Sequence, residues 1–246
     1  MPHPLARLEL MVGSHALVRL AAKHVAVFGI GGVGGHAAEA LCRSGVGSIT
    51  IVDYDTVAET NINRQLAALH STIGRSKVNV LAERCKDINP QCQINPLQEC
   101  YSEDNSSQLL SDEYDFVIDA IDMVSAKTHL IERCLEKNIP IISSMGAGNK
   151  WDPTQLRIAD ISETHTCPLA KVVRQRLRKD GWHAGLTVVF SLERPARLSA
   201  LERLNDSCTR AADAPMGQAC VPGSTPFVPP AAGLVAASYV VGELLG

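Results

Sequence analysis

The stretch His24-Val25-Ala26-Val27-Phe28-Gly29-Ile30-Gly31-Gly32-Val33-Gly34 decides the fold. Val25, Val27 and Phe28 supply β-branched and aromatic apolar character over the length of a strand. Gly29, Gly31 and Gly34 follow at G-x-G-x-x-G spacing, with a further glycine at Gly32. Gly29 permits a tight turn out of the strand. Gly31 and Gly32 let the backbone approach a phosphate with no Cβ between. Gly34 lets the next helix lie close on the strand. The N-terminus of that helix turns free N–H groups and a positive dipole end toward an anion. The stretch therefore predicts strand, phosphate-binding turn and helix. NAD, FAD and ATP sites all use this pattern, so it names no ligand.

The chain has 246 residues, enough for one large or two small domains. It is 46% hydrophobic and 20% charged, ordinary for a globular enzyme. A net charge of −3 excludes a polycation, but the charge is uneven. Residues 168–210 hold nine Lys/Arg against four Asp/Glu, a local +5 that leaves −8 for the rest. That asymmetry points to a polyanionic partner for the later third. The eight cysteines (Cys42, Cys85, Cys92, Cys100, Cys134, Cys167, Cys208 and Cys220) form no C-x-x-C pair, so no zinc is expected. The opening residues, with Pro2, Pro4 and Arg7, show no long apolar segment. The expectation is a cytoplasmic, reducing setting with free thiols. Ala231 to Leu245 is apolar apart from Ser238 and Glu243, but short of the roughly 20 residues that cross a bilayer. A buried or dimer-facing helix is expected there, with no stable membrane insertion.

Periodicity predicts a helix over 5–22 broken near Gly13, and a helix over 33–44 stopped by Gly45. Strands are expected at 49–52, 93–97, 116–118, 140–143, 155–158 and 186–191, and helices at 77–88, 106–110, 125–137, 168–179 and 227–245. This alternation implies an α/β, Rossmann-like, doubly wound and mostly parallel sheet with helices on both faces. An irregular C-terminal extension follows. Residues 1–246 read as one domain, with 1–150 as nucleotide-binding core and 151–246 as a substrate-binding and dimer-facing extension. Residues 199–226, rich in Ala, Pro, Gly and Ser, read as a mobile connection.

The candidate site residues gather after the strands. Asp53 ends the second strand about 20 residues past the glycines, where an acid bonds a ribose hydroxyl. Asn61 can reach phosphate or ribose, and Arg64 offers a planar fork for phosphate. Lys77 opens a helix and projects toward the same anion. Two cations after one glycine turn suit a triphosphate better than a dinucleotide. Asp119-Ala120-Ile121-Asp122 ends the 116–118 strand, where ligands sit in open α/β sheets. Both carboxylates are read as facing the nucleotide, with Asp122 the preferred Mg²⁺ ligand and Asp119 alternatively a helix cap. Met145-Gly146-Ala147-Gly148 is a second glycine turn on the same side. Lys171, Arg174 and Arg178 share one side of the 168–179 helix and are the candidate contacts to the polyanionic partner.

Taken together, Gly29 to Gly34, Asp53-Tyr54-Asp55, Asn61-Ile62-Asn63-Arg64-Gln65, Lys77 and Asp119 to Asp122 resemble the ubiquitin-activating-enzyme-like (ThiF/MoeB/HesA) adenylating superfamily. Within it, Arg7-Leu8, Gly146-Ala147-Gly148, Asp152-Pro153-Thr154-Gln155 with Asp160, and Pro168-Leu169-Ala170 resemble the tRNA threonylcarbamoyladenosine dehydratases. The resemblance implies a carboxylate-adenylating enzyme that uses ATP and Mg²⁺ to cyclise N6-threonylcarbamoyladenosine in tRNA with net loss of water. It implies that Gly29, Gly31, Gly32, Gly34, Asp53, Asp55, Asn61, Arg64, Gln65, Lys77, Asp119, Ala120, Ile121 and Asp122 bind nucleotide. It further implies a homodimer in which Arg7 reaches the partner subunit's ATP. It leaves open a bound monovalent cation, a cysteine desulfurase or sulfur-acceptor protein as partner, and any role for Cys208 or Cys220. Two other functions stay open: adenylation of the C-terminal glycine of a small ubiquitin-like sulfur carrier, and an NAD-dependent oxidoreductase or nucleotide-sensing module. For hydride transfer no His/Asp pair is convincingly placed.

Overall fold

The computed structural model describes residues 3–196 and 222–246. Among these, seven strands form one sheet: β1 (His24–Phe28), β2 (Ser48–Val52), β3 (Gln93–Leu97), β4 (Phe116–Asp119), β5 (Ile141–Ser144), β6 (Leu156–Asp160) and β7 (Thr187–Ser191). Their order is β3-β2-β1-β4-β5-β7-β6. All neighbours are parallel except β6 with β7. The helices are α1 (Ala6–Val12), α2 (Ser14–Ala21), α3 (Gly34–Arg43), α4 (Lys77–Ile88), α5 (Ser106–Leu109), α6 (Val124–Glu136), α7 (Pro168–Lys179) and α8 (Val228–Leu245).

The strands are apolar on both faces because helices cover both. Val25 and Val27 of β1 join one core with residues of α2, α3, α4 and α8. Ala26 and Phe28, pointing the other way, join a second core with α5, α6 and α7. β3 and β6 lie at the edges. An edge position tolerates Pro96, which has no N–H for a ladder. The strand expected at 155–158 begins one residue later, because Pro153–Gln155 forms a 3₁₀ turn. The Asp152 carboxylate caps that turn on Thr154 N.

Two glycines divide the N-terminal helices from their surroundings as the spacing predicts. Gly13 (φ +83°) separates α1 from α2, and Gly45 (φ +83°) follows the end of α3. The last helix is long and apolar enough to cross a membrane by length and composition. Here it is a core helix: Ala232, Ala236, Ala237 and Val240 are buried. A Cβ on Gly233 would stand 2.2 Å from Val33 O, so α8 lies directly on the start of α3.

Within the stretch expected to be a loose connection, residues 222–226 are tied down. Asn149 N donates to Gly223 O (2.7 Å), Gly223 N donates to Asn149 Oδ1 (2.6 Å), and Asn63 Nδ2 donates to Ser224 O (2.9 Å). Cys208 and Cys220 lie outside the described residues.

The α6–α7 surface carries a protonation site. Burial, then repulsion from Asp180 and a hydrogen bond shared with it, together raise Glu132 to about 7 from its ordinary 4.5. The folded protein therefore holds this proton more tightly than the unfolded chain. That stabilisation is complete below the ordinary value and is lost as pH rises toward 7. Urea unfolding should show stability falling across this window, and Glu132→Gln should flatten the slope. An unchanged slope in the variant would place the titration elsewhere.

Candidate active site

Strand order reverses between β1 and β4, and the crevice beyond their carboxyl ends is where such sheets bind ligands. A cleft of about 630 Å³ opens there. Phe28 pairs with Asp119, so the glycine turn after β1 and the loop after β4 leave the sheet side by side. Gly29 takes φ +87°, and a Cβ on it would lie 2.6 Å from Ala120 O. A Cβ on Gly34 would lie 1.8 Å from Gly29 O, so only glycine lets α3 start this close to β1. At Gly32 a Cβ would lie 3.1 Å from Pro229 Cβ, so this glycine also seats the start of α8. The first turn of α3 has no side-chain cap, and Gly31, Gly32 and Val33 line the cleft. The His36 Nδ1–H donates to Gly32 O (3.1 Å) and steadies the turn. Burial lowers the pKa of this imidazole.

The polar residues expected at the nucleotide assemble around this turn. Asp53 lines the cleft, and its Oδ2 accepts from Ile30 N (2.6 Å) while Oδ1 accepts from Asp55 N (2.8 Å). The acid thus braces the glycine turn from β2. Lys77 is nearly buried at the first position of α4 and donates to Asp55 Oδ2 (2.6 Å). Asn61 Oδ1 accepts from Ala58 N (3.1 Å). Arg64 donates to Thr60 O (2.8 Å) and Asn63 Oδ1 (2.9 Å), which hold its guanidinium on the cleft wall. Gln65 Oε1 is buried without a protein partner, an acceptor for a bound amine or hydroxyl. Ala120, Ile121 and Asp122 line the opposite wall, as do Gly146 and Gly148 of the second glycine turn.

Asp119 departs from the reading that places it at the nucleotide. It is fully buried beneath the cleft and does not line it. Its Oδ2 accepts from Lys127 Nζ (2.6 Å) and Ser143 Oγ (2.5 Å), and its Oδ1 accepts from Ile121 N (3.0 Å). Nor does it cap α6, whose N-cap is Met123. Lys127 is equally buried and also donates to Ser143 Oγ (3.2 Å) and Ser144 O (3.0 Å). The sequence held a signal for this pair: Lys127 sits in the α6 stripe of Leu130, Ile131 and Cys134, where a lone lysine requires a buried anion.

Arg174 is also placed differently. Its Nη1 donates to Thr164 O (2.7 Å), Thr164 Oγ1 (2.5 Å) and Ile161 O (3.4 Å), so it staples α7 to the turn before it. Lys171 and Arg178 remain exposed, with Arg176 and Lys179. Pro168 and Leu169 open α7 on the cleft rim. At 1.5 Å per residue, Arg178 stands about 15 Å along the helix from that rim. Arg7 lies on α1, outside the cleft lining. Tyr101, Lys150 and Cys167 are additions. Tyr101 and Cys167 line the cleft, and Tyr101 OH pairs with His129 Nδ1 (3.1 Å). Lys150 Nζ donates to Gly146 O (2.7 Å), and burial lowers its pKa.

The cleft fits a nucleoside triphosphate: backbone without Cβ at the turn, two cations, an acid at the end of β2 and an unsatisfied acceptor. No cluster of three or more His, Cys, Asp or Glu among the described residues could cage a metal. A family model described as "ThiF family" matches residues 5–245.

The chain belongs to the ThiF family.

It is 47% identical over 247 residues to the tRNA threonylcarbamoyladenosine dehydratase of Bacillus subtilis, covering 100% of this chain and 96% of that protein. It is 49% identical over 165 residues to the Haemophilus influenzae tRNA threonylcarbamoyladenosine dehydratase, covering 67% of this chain and 63% of that one. The fold is similar to that of the E. coli tRNA N6-threonylcarbamoyladenosine dehydratase solved in complex with ATP. The TM-score is 0.85 at 35% identity, over 98% of this chain and 93% of that one.

Removing one member of the buried pair leaves the other charged and unpaired. Lys127→Met should cost about 3–5 kcal/mol of stability by urea unfolding. The further change Asp119→Asn should recover part of that loss. If Lys127→Met unfolds like the unaltered protein, the pair does not hold the cleft floor.

Proposed function

We propose that this ThiF-family protein uses ATP to activate the carboxylate of N6-threonylcarbamoyladenosine in tRNA as an acyl-adenylate, and that the side chain then cyclises with net loss of water. The observation that carries the reading is the cleft itself. It joins a phosphate turn, two cations and an isolated carboxylate, in a chain alike over its full length to a dehydratase.

A carboxylate cannot expel oxide, so one of its oxygens must first gain a leaving group. That oxygen attacks the α-phosphorus of ATP in line, and the bond to pyrophosphate breaks. The turn from Gly29 to Gly34 holds phosphate through its N–H groups, and Asp53 holds ribose beside it. Arg64 and Lys77 hold the departing pyrophosphate, with Asn61 and Gln65 completing the wall. Lys77 must exchange its Asp55 partner for phosphate, so Asp55 sets how readily that cation is released. Mg²⁺, when bound, offsets phosphate charge, and Asp122 would hold it together with nucleotide oxygens and water. A nucleophilic atom of the same threonylcarbamoyl side chain then attacks the activated carbonyl. AMP leaves with the original carboxylate oxygen.

The polyanionic substrate fits the charge asymmetry. Lys171 and Arg178, with Arg176 and Lys179, run from the cleft rim along α7 and supply phosphate contacts. A second copy supplies Arg7 in trans. α1 has no buried residue and leaves Leu10 (88%) and Met11 (84%) exposed, which supports an interface there. A sulfur-acceptor partner supplies nothing that this reaction consumes. A cytoplasmic setting supplies the ATP and tRNA that this reaction draws on.

Incubation with ATP, Mg²⁺ and modified tRNA, followed by nucleoside mass analysis, should show the nucleoside lighter by one water. Arg64→Ala and Lys77→Ala should each lower this turnover by about 10²–10³-fold. Pyrophosphate exchange triggered by a small carrier protein and not by tRNA would support the sulfur-carrier activity in its place.

A further inference from the structure

We propose that Trp151 and Phe227 form a stacking platform at the cleft rim for an unpaired base of the RNA, an inference that rests on the dehydratase reading. An adenine whose side chain must reach the α-phosphate of a cleft-bound nucleotide cannot remain inside a base stack. Its neighbours lose a stacking partner when it turns in, and proteins that bind such splayed bases replace that partner with aromatic rings.

The two rings stand where that replacement is needed. Phe28, Phe116 and Phe190 are buried, whereas Phe227 is 46% exposed. Trp182 packs on the second core, whereas Trp151 is 68% exposed. Only 4% of the chain is aromatic, so two exposed rings in mutual contact are a concentration, not scatter. Their centroids lie 5.4 Å apart at an interplanar angle of 71°, an edge-to-face pair that leaves ring surface toward solvent.

The pair is held from two segments that themselves line the cleft. Asn149 and Pro195 on one side and Gly223, Ser224 and Pro229 on the other are lining residues. Trp151 N donates to both oxygens of the Glu193 carboxylate (2.9 and 3.0 Å), and Asp152 N donates to one of them (2.9 Å). Thr225 Oγ1 donates to Lys150 O (3.3 Å) and accepts from Phe227 N (3.4 Å). The backbone under both rings is therefore fixed before any ligand arrives, which lowers the ordering cost of binding. Charge agrees with an RNA occupant. Arg194, next to the Glu193 that anchors Trp151, is exposed, and so is Lys171, one turn from the α7 residues at the rim. Neither is in an ion pair among the described residues.

The chain has two tryptophans, so Trp182→Phe leaves Trp151 as the sole indole. Titrating that protein with tRNA carrying threonylcarbamoyladenosine should quench its fluorescence to saturation, and a fully paired RNA duplex of equal phosphate content should not. Trp151→Ala and Phe227→Leu should each raise the KM for tRNA by about 10–100-fold, with kcat and ATP affinity nearly unchanged. Trp151→Tyr should restore most of the loss. Wild-type KM in both variants, or equal quenching by duplex, would overturn the platform. So would fluorescence that shifts with protein concentration in the absence of RNA, which would mean that a second copy covers the rings. Absence of a cyclised nucleoside with the unaltered protein would instead overturn the dehydratase reading. The titration requires no turnover and would still decide the platform.

Discussion

Lys127 and Asp119 are both fully withdrawn from water, and the floor of the cleft is built on their contact. Desolvating two such ions costs several kcal/mol each, and the pair is tolerated only because every polar atom finds a partner. The ammonium meets Asp119, Ser143 Oγ and Ser144 O, and the second carboxylate oxygen meets Ile121 N. One ion pair thereby joins the ends of β4 and β5 to α6. It also sets the backbone of the loop that carries Asp122 into the cleft. A polar cluster of this kind favours one arrangement of three elements, where an apolar filling would allow several.

The glycine turn depends on the same floor. Gly29 abuts Ala120 O, one residue beyond Asp119, so the phosphate turn and the Asp122 loop are in backbone contact. Asp53 braces the turn from the other side through Ile30 N. In the proposed reaction, phosphate groups and carboxylate substrate meet three adjacent strand ends, β2, β1 and β4, whose relative positions are set by the sheet ladder. Such preorganisation is what in-line attack at phosphorus requires.

Much of this was legible because it follows from local rules. The glycine spacing, the strand lengths and the helix starts depend on near neighbours in the chain. Arg64, Lys77 and Asp122 could be placed because the carboxyl ends of parallel strands converge. What was not legible depends on distant partners. Asp119 and Asp122 look alike at the end of one strand. Lys127 in the apolar stripe of α6 signals a buried anion, but only the fold shows that Asp119, not Asp122, is that anion. Arg174 has the spacing of a surface cation, and its partners Thr164 and Ile161 lie in an irregular turn. Residues 222–226 have loop composition, yet backbone pairing with Asn149 fastens them to the rim. Trp151 carried no pattern at all, since its significance lies in meeting Phe227 from 76 positions away.

The proposed reaction transfers adenylate, not phosphate, to a carboxylate. It is tested by preparing modified tRNA whose threonylcarbamoyl carboxylate carries a heavy-oxygen label, and by following that label through one turnover with ATP. Attack on the α-phosphorus predicts one labelled oxygen in the AMP released and none in pyrophosphate. Label in inorganic phosphate, with ADP as the other product, would mean attack at the γ-phosphorus and would contradict the assignment of Arg64 and Lys77 to a departing pyrophosphate.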